Sequence, residues 1–346
     1  MKLTNQPVNK KLGPVGRRAV STSAEVVETS LLAAEQPLPL LLRPAVDGVS
    51  LSAWLGHHRE RWEELLRTHG ALLFRGFGVR TREELEELAA TASGGLMDYT
   101  YRSTPRSSLG GRVYTSTEYP ADQSIPMHNE MSYTSSWPLK IWFFCEQPSE
   151  QGGETPLADS RHVCARLDPA LRQRFAEKKV MYVRNYGAGL DLTWENVFQT
   201  TDRAVVESFC REAGIELEWK EGNRLRTRQR CQAVAHHPAT GEMVWFNQAH
   251  LFHRSSLAPE VLAALLETMP EEDLPRDTCY GDGTPIEASA LEEIRGVYAE
   301  ESVAFPWQKG DVLMVDNMLV AHGRRPFSGP RKILVAMAEP VQGERA

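Results

Sequence analysis

The sequence predicts a mainly β chain with flanking helices, its core strands closed into a double-stranded β-helix, the jelly-roll barrel. Three observations predict it. From Ile141-Trp142-Phe143-Phe144 onward, short apolar runs alternate with turn residues, the pattern of strands joined by tight connections. Those runs are interrupted near 161–178, 193–213, 258–269 and 286–301 by stretches with helical spacing. Finally, His128-Asn129-Glu130 stands mid-chain and His322 near the end, so strands from both halves must pair if these metal-binding residue types are to meet. A jelly roll pairs them and places the joined side chains inside its mouth.

The elements follow in order. Residues 1–25 carry Lys2, Lys10, Lys11, Arg17 and Arg18 without the apolar stretch of a signal peptide, which reads as a mobile basic arm. Residues 26–346 contain no repeat and no low-complexity linker, and one barrel with embellishments can hold that length as a single domain. Apolar spacing from Ala53 to Thr68 predicts one helix ended by His69-Gly70, with His57 and His58 in solvent. Ala71-Leu72-Leu73-Phe74 is a buried strand, and Thr81-Arg82-Glu83-Glu84 opens a second helix with a capping box. The segment 185–260 is expected to be an insertion that covers the barrel opening as a lid. Within it, His236-His237-Pro238-Ala239-Thr240-Gly241 reads as a turn between two strands. His250 and His253 lie one helical turn apart but lack a nearby acidic third ligand, so a structural or substrate-facing role is expected.

In an extended strand, alternate residues share a face, so His128 and Glu130 are expected to point the same way while Asn129 points opposite. With His322 they form a 2-His-1-carboxylate set, the facial arrangement that leaves positions open on Fe(II) for a chelating cosubstrate and O₂. Arg331 follows Pro330 and precedes the apolar run Ile333-Leu334-Val335-Ala336-Met337, which reads as a buried strand beginning after a turn. A cation at the inner end of such a strand is costly without a partner, and a bound dianion supplies one.

The stretches Gln151-Gly152-Gly153-Glu154-Thr155-Pro156-Leu157-Ala158-Asp159-Ser160 and Lys309-Gly310-Asp311-Val312-Leu313-Met314-Val315-Asp316-Asn317 complete an ordered set. Over roughly residues 70–340 the chain resembles the taurine dioxygenase (TauD/TfdA) family of Fe(II)/2-oxoglutarate oxygenases, especially its clavaminate-synthase-like and syringomycin-hydroxylase-like members. The resemblance implies that His128, Glu130 and His322 hold iron and that Thr155 and Arg331 bind the far carboxylate of 2-oxoglutarate. A guanidinium meets a carboxylate through a two-pronged charged pair that lysine cannot copy. Two departures accompany it. Many relatives carry Asp where Glu130 stands, and the interval from His322 to Arg331 is short, which leaves Arg324 and Arg325 in the same turn as alternative clamps. Halogenating relatives lack the carboxylate altogether, so Glu130 argues for oxygen insertion or another oxidation.

The implied reaction couples oxidative decarboxylation of 2-oxoglutarate, giving succinate and CO₂, to oxidation of a substrate C–H bond. Hydroxylation is the expected outcome, with desaturation, epoxidation or cyclisation as alternatives. The runs Pro126–Tyr133 and Val244–Gln248 resemble those of members acting in natural-product and antibiotic biosynthesis, on amino-acid-like substrates that are free or tethered to a peptidyl carrier protein. Asn129, Tyr133, Arg184, Asn247 and Arg324 are the candidate substrate contacts. A zinc hydrolase or a non-catalytic binding protein on the same barrel is the competing class, and no G-x-S-x-G elbow supports a serine hydrolase. A net charge of −7 gives no footprint for nucleic acid. No apolar run is long enough to span a bilayer, and five scattered cysteines without a C-x-x-C pair read as reduced thiols of a cytoplasmic enzyme.

Overall fold

The computed structural model describes residues 25–33, 36–98, 101, 112–116, 119–187 and 189–343. The basic arm expected over 1–25 therefore lies, apart from Glu25, outside the described residues. Strands dominate, with helices packed on their outer sides. Seven strands form the larger sheet in the order Val27–Ala33, Gln36–Pro44, Ala71–Phe74, Val312–Asp316, Ser136–Gln147, Lys332–Gln342 and Val113–Thr115. Among the described residues, only the pairing of Gln36–Pro44 with Ala71–Phe74 is parallel. A three-stranded sheet sets Val320–Arg324 between Ile125–His128 and Leu157–Asp159.

Period-two alternation sorts the side chains of the larger sheet into two cores. Trp142, Phe144, Val312, Met314, Leu334 and Ala336 face the helices before and after Ala71–Phe74. Their neighbours Phe143, Cys145, Leu313, Val315, Ile333 and Val335 face inward and pack with Leu157, Leu319 and Val320 of the smaller sheet. The two sheets thus share an apolar layer, as stacked sheets do. Continuous burial on both faces explains why these strands read in sequence as unbroken apolar runs.

The lead-in forms largely as expected. Thr81 and Glu84 make the reciprocal capping box, and the second helix runs Arg82–Ser93. The single helix expected from Ala53 to Thr68 is instead two, Leu51–His57 and Arg59–His69. His58 breaks it by leaving helical backbone geometry (φ −121°, ψ 36°) while its ring stacks on Trp54 at 5.3 Å. Apolar periodicity could not detect this break, because Trp54, Leu55, Trp62 and Leu66 are buried on both sides of it.

The segment 185–260 is a folded layer that reaches beyond those bounds. Strands Glu216–Lys220, Arg224–Cys231, Val180–Tyr186 and Arg276–Tyr280 build a four-stranded antiparallel sheet. Its apolar side and the surrounding helices pack on Met127, Ala158 and Ala321, the outward-facing residues of the three-stranded sheet. The turn at His237 joins strands Val234–His236 and Met243–Trp245, as the sequence suggests. His236 is exposed, whereas His237 is buried and its Nε2 donates to Asp316 Oδ2 at 3.0 Å.

Candidate active site

Pairing between the sheet edges brings the distant histidines together. His322 is the direct cross-strand partner of His128, with ring centroids 4.5 Å apart, and Leu157 flanks His322 on the other side. Gly323 permits this closeness, since a Cβ there would sit 2.7 Å from the Ile125 carbonyl oxygen. The potential ligand atoms of His128, Glu130 and His322 all lie within 4.8 Å of one another, and they form the only such cluster among the described residues. The pair His250 and His253 makes no second metal site there. His250 Nε2 donates to the Met127 carbonyl and His253 Nδ1 bonds the Ser255 hydroxyl.

Glu130 reaches the histidines by a route the strand argument did not foresee. The strand ends at His128, and residues 130–133 form a turn with Met131 at φ 58°. Asn317 holds that turn: its Oδ1 accepts from Glu130 N at 2.7 Å, and its Nδ2 donates to the carbonyls of Glu130 and Pro138, each at 2.9 Å. Asp316 shapes the turn before His322, accepting from the backbone N–H groups of Met318 and Leu319. His128 is oriented from behind, because its Nδ1 lies 2.8 Å from the Pro126 carbonyl. A carbonyl only accepts, so Nδ1 carries the proton and Nε2 presents its lone pair, as metal-binding imidazoles require.

One cleft connects the histidines with the expected clamp. Thr155 and Arg331 line it together with His128, His322, Phe143, Ile333 and Val335. Arg331 Nε donates to the Gly153 carbonyl at 2.9 Å. Burial, and after it the charge of Arg324, pushes the Arg331 guanidinium down to about 10, still protonated at neutral pH. Among the described residues no carboxylate lies within ion-pair distance of it. Gly152 and Gly153 make room for this approach at φ 68° and 72°, and a Cβ on Gly153 would fall 2.9 Å from Arg331 Cδ. A cation with no carboxylate partner among the described residues, and two imidazoles beside a carboxylate, fit a metal chelated by a dianionic ligand.

Arg324 also lines the cleft, but it donates to the backbone carbonyls of Tyr119, Pro120 and Gln123. Its terminal nitrogens are thereby engaged. Arg325 is exposed. Unlike Arg331, it does not line the cleft.

Four expected substrate contacts are placed elsewhere. Asn129 is fully buried, and its Nδ2 donates to Ser160 Oγ and the Asn317 carbonyl. Asn247 is fully buried, linking the Ala233 carbonyl to the N–H of Ala249. Tyr133 packs against Phe252 and Tyr182, its hydroxyl donating to the Tyr101 carbonyl. Arg184 is buried among the rings of Tyr101, Tyr133 and Tyr186. None lines the cleft, and no described residue of 185–260 does. The printed bonds of Asn129, Asn247 and Tyr133 go to local backbone and side-chain groups, and Arg184 is held by aromatic rings, since burial without a partner is costly. Conversely, sequence reasoning missed Asn317 as the holder of Glu130 and Trp307, whose Nε1 donates to Thr155 Oγ1 at 3.1 Å. A larger surface groove of about 450 Å³ lies at Val183, Arg226 and Asp277 and shares no residue with the cleft.

The taurine catabolism dioxygenase TauD, TfdA family matches residues 35–337. The chain is 38% identical over 301 residues to the dapdiamide synthesis protein DdaC of Enterobacter agglomerans, covering 87% of this chain and 91% of that protein. It is 33% identical over 288 residues to a clavaminate synthase-like protein of Arabidopsis thaliana, with 80% and 84% covered. Among solved structures, PvcB, described as an Fe, alpha-ketoglutarate dependent oxygenase from an isonitrile synthetic pathway, aligns with a TM-score of 0.56. That alignment covers 95% and 98% of the two chains at 16% identity, a likeness of fold. The chain belongs to the TauD/TfdA family, in its clavaminate-synthase-like branch, and is a non-haem iron dioxygenase that uses Fe(II) and 2-oxoglutarate.

Proposed function

We propose that His128, Glu130 and His322 hold Fe(II), that Thr155 and Arg331 hold the far carboxylate of 2-oxoglutarate, and that the enzyme hydroxylates an aliphatic carbon of an amino-acid-like substrate in natural-product biosynthesis. The two facing sheets are read as the halves of a jelly-roll barrel, with the metal between them. The observation that carries the site is the single cleft running from the two imidazoles to Arg331. The name of the 38% identical relative, a dapdiamide synthesis protein, supports the biosynthetic setting. When bound, Fe(II) with 2-oxoglutarate and O₂ supplies the oxidative chemistry, releasing succinate and CO₂ as a substrate C–H bond is oxidised. The protein's part is placement: Pro126 fixes the His128 tautomer, Asn317 sets Glu130, and Arg331 orients the cosubstrate along the cleft. The inward side chains Phe143, Ile333 and Val335 keep that path apolar and exclude water. The substrate is free or presented by a carrier protein, and desaturation, epoxidation or cyclisation is the alternative outcome at the same site.

Anaerobic titration of the metal-free protein with Fe(II) and 2-oxoglutarate tests the site through the visible charge-transfer band of the chelate. The band is expected in the wild type and absent in His128→Ala; its persistence in that variant would remove the ligand assignment. Arg331→Ala is expected to weaken 2-oxoglutarate binding by about 2–5 kcal/mol, the usual cost of removing one partner of a buried charged pair. An unchanged dissociation constant would move the clamp away from Arg331. Product mass from a screen of free and carrier-bound amino acids then separates gain of an oxygen from loss of two hydrogens.

A further inference from the structure

Thr155 is buried in the cleft wall at 3% exposure, and its Oγ1 accepts the Trp307 indole N–H at 3.1 Å. An indole N–H can only donate, whereas a hydroxyl can donate or accept. The indole therefore occupies the threonine oxygen as an acceptor, and the hydroxyl proton must find its own partner. Among the described residues no protein acceptor takes that proton, and Thr155 shares its cleft with Arg331. We propose that Trp307 is a positioning residue that sets the polarity of the Thr155 hydroxyl, turning its proton toward the cosubstrate carboxylate held by Arg331. The inference rests on the reading of Thr155 and Arg331 as the clamp.

The local structure holds the indole firmly enough for this role. Trp307 is 9% exposed and meets Phe305 edge to face, with centroids 5.0 Å apart. On one side of it the Pro306 carbonyl accepts from Arg75, and on the other the Gln308 N–H donates to Asp311. Arg75 and Asp311 are themselves joined by a buried two-pronged pair, Nε to Oδ1 at 2.9 Å and Nη2 to Oδ2 at 2.7 Å. Both peptide neighbours of Trp307 are thus tied to one ion pair. A carboxylate oxygen attracts only the proton end of a hydroxyl, so a fixed donor holds it better than a freely rotating group.

A double-mutant cycle tests the proposal, with the 2-oxoglutarate dissociation constant read by anaerobic titration of the Fe(II)-loaded enzyme. Trp307→Phe keeps the ring and removes the donor. It is expected to raise the constant about threefold to tenfold in the wild-type background, the worth of one modest hydrogen bond. In a Thr155→Val background the same substitution is expected to change nothing further. An equal loss in both backgrounds would show packing alone and overturn the inference. If Thr155→Val by itself leaves affinity unchanged, the clamp reading fails first, a result separable from failure of the Trp307 effect. A second measurement does not depend on the tryptophan variant folding. In metal-free protein labelled with ¹⁵N-tryptophan, the Trp307 indole proton is expected to shift upfield in Thr155→Val; an unmoved resonance would overturn the proposal.

Discussion

The side-chain amide of Asn317 grips the backbone of Glu130 on both sides of the peptide, so the carboxylate is aimed by a residue that never touches the metal site. Asn317 is fully buried and all three of its side-chain bonds go to backbone groups. Asn317→Asp keeps the acceptor for Glu130 N and loses the donors to the Glu130 and Pro138 carbonyls. Supporting groups of this kind commonly contribute tenfold to a hundredfold in metal affinity. We therefore expect Fe(II) binding by Asn317→Asp to weaken at least about tenfold. Wild-type iron affinity in this variant would show that Glu130 is placed by other contacts. His128 differs from Glu130 in that its aim is local, set by Pro126 two residues earlier.

At the scale of elements, the connection carrying Gly152 and Gly153 decides whether Arg331 can enter the cleft. Phe327–Ser328 pairs with Gln151–Gly152, and the Gly153 N–H donates to the Pro326 carbonyl. Gly153→Ala must place a methyl 2.5 Å from Ser149 Oγ and 2.9 Å from Arg331 Cδ at a positive φ. The flexible end of Ser149 can yield, but Arg331 can do so only by shifting its guanidinium. The expected result is a clear rise in the 2-oxoglutarate dissociation constant with iron affinity retained. Unaltered cosubstrate binding would mean that Arg331 tolerates displacement. The short helix Ala249–Phe252 plays the matching part for the first histidine, since its His250 donates to the carbonyl of Met127 beside His128.

For the whole molecule, that same His250 links stability to acid. Burial pushes its imidazole down from 6.5 to about 3, so the folded protein leaves it neutral where the unfolded chain would bind a proton. The unfolded state therefore gains protons below about pH 6.5, and stability falls from there toward pH 3 by at most about 1.4 kcal/mol per pH unit. His250→Gln keeps a donor for Met127 and removes the titration. In metal-free protein, its loss of stability between pH 7 and 5 is expected to be smaller than the wild type's by about 1–2 kcal/mol. Equal losses in urea melts at the two pH values would refute that linkage. No helix among the described residues is long and apolar enough to cross a membrane. The four-stranded sheet packs on the side of the three-stranded one that carries Met127, Ala158 and Ala321.

By itself the sequence determined the kinds of side chain available and the local rules they obey. That His128, Glu130 and His322 meet, and that Thr155 and Arg331 share a cleft with the two histidines, was legible from their motifs, and the cap at Thr81 and Glu84 because a capping box acts within one turn. The buried strands were legible as apolar runs. Tertiary structure alone decided what depends on residues far apart in the chain meeting in space. Sequence offers no distance between Asn317 and Glu130, or between Trp307 and Thr155, yet those contacts orient a carboxylate and a hydroxyl. It equally gave no sign that Asn247, Tyr133 and Arg184 would turn into the core behind the site. An amide or a guanidinium can serve a ligand or a buried carbonyl with the same hydrogen bonds, and only packing selects which partner lies within reach.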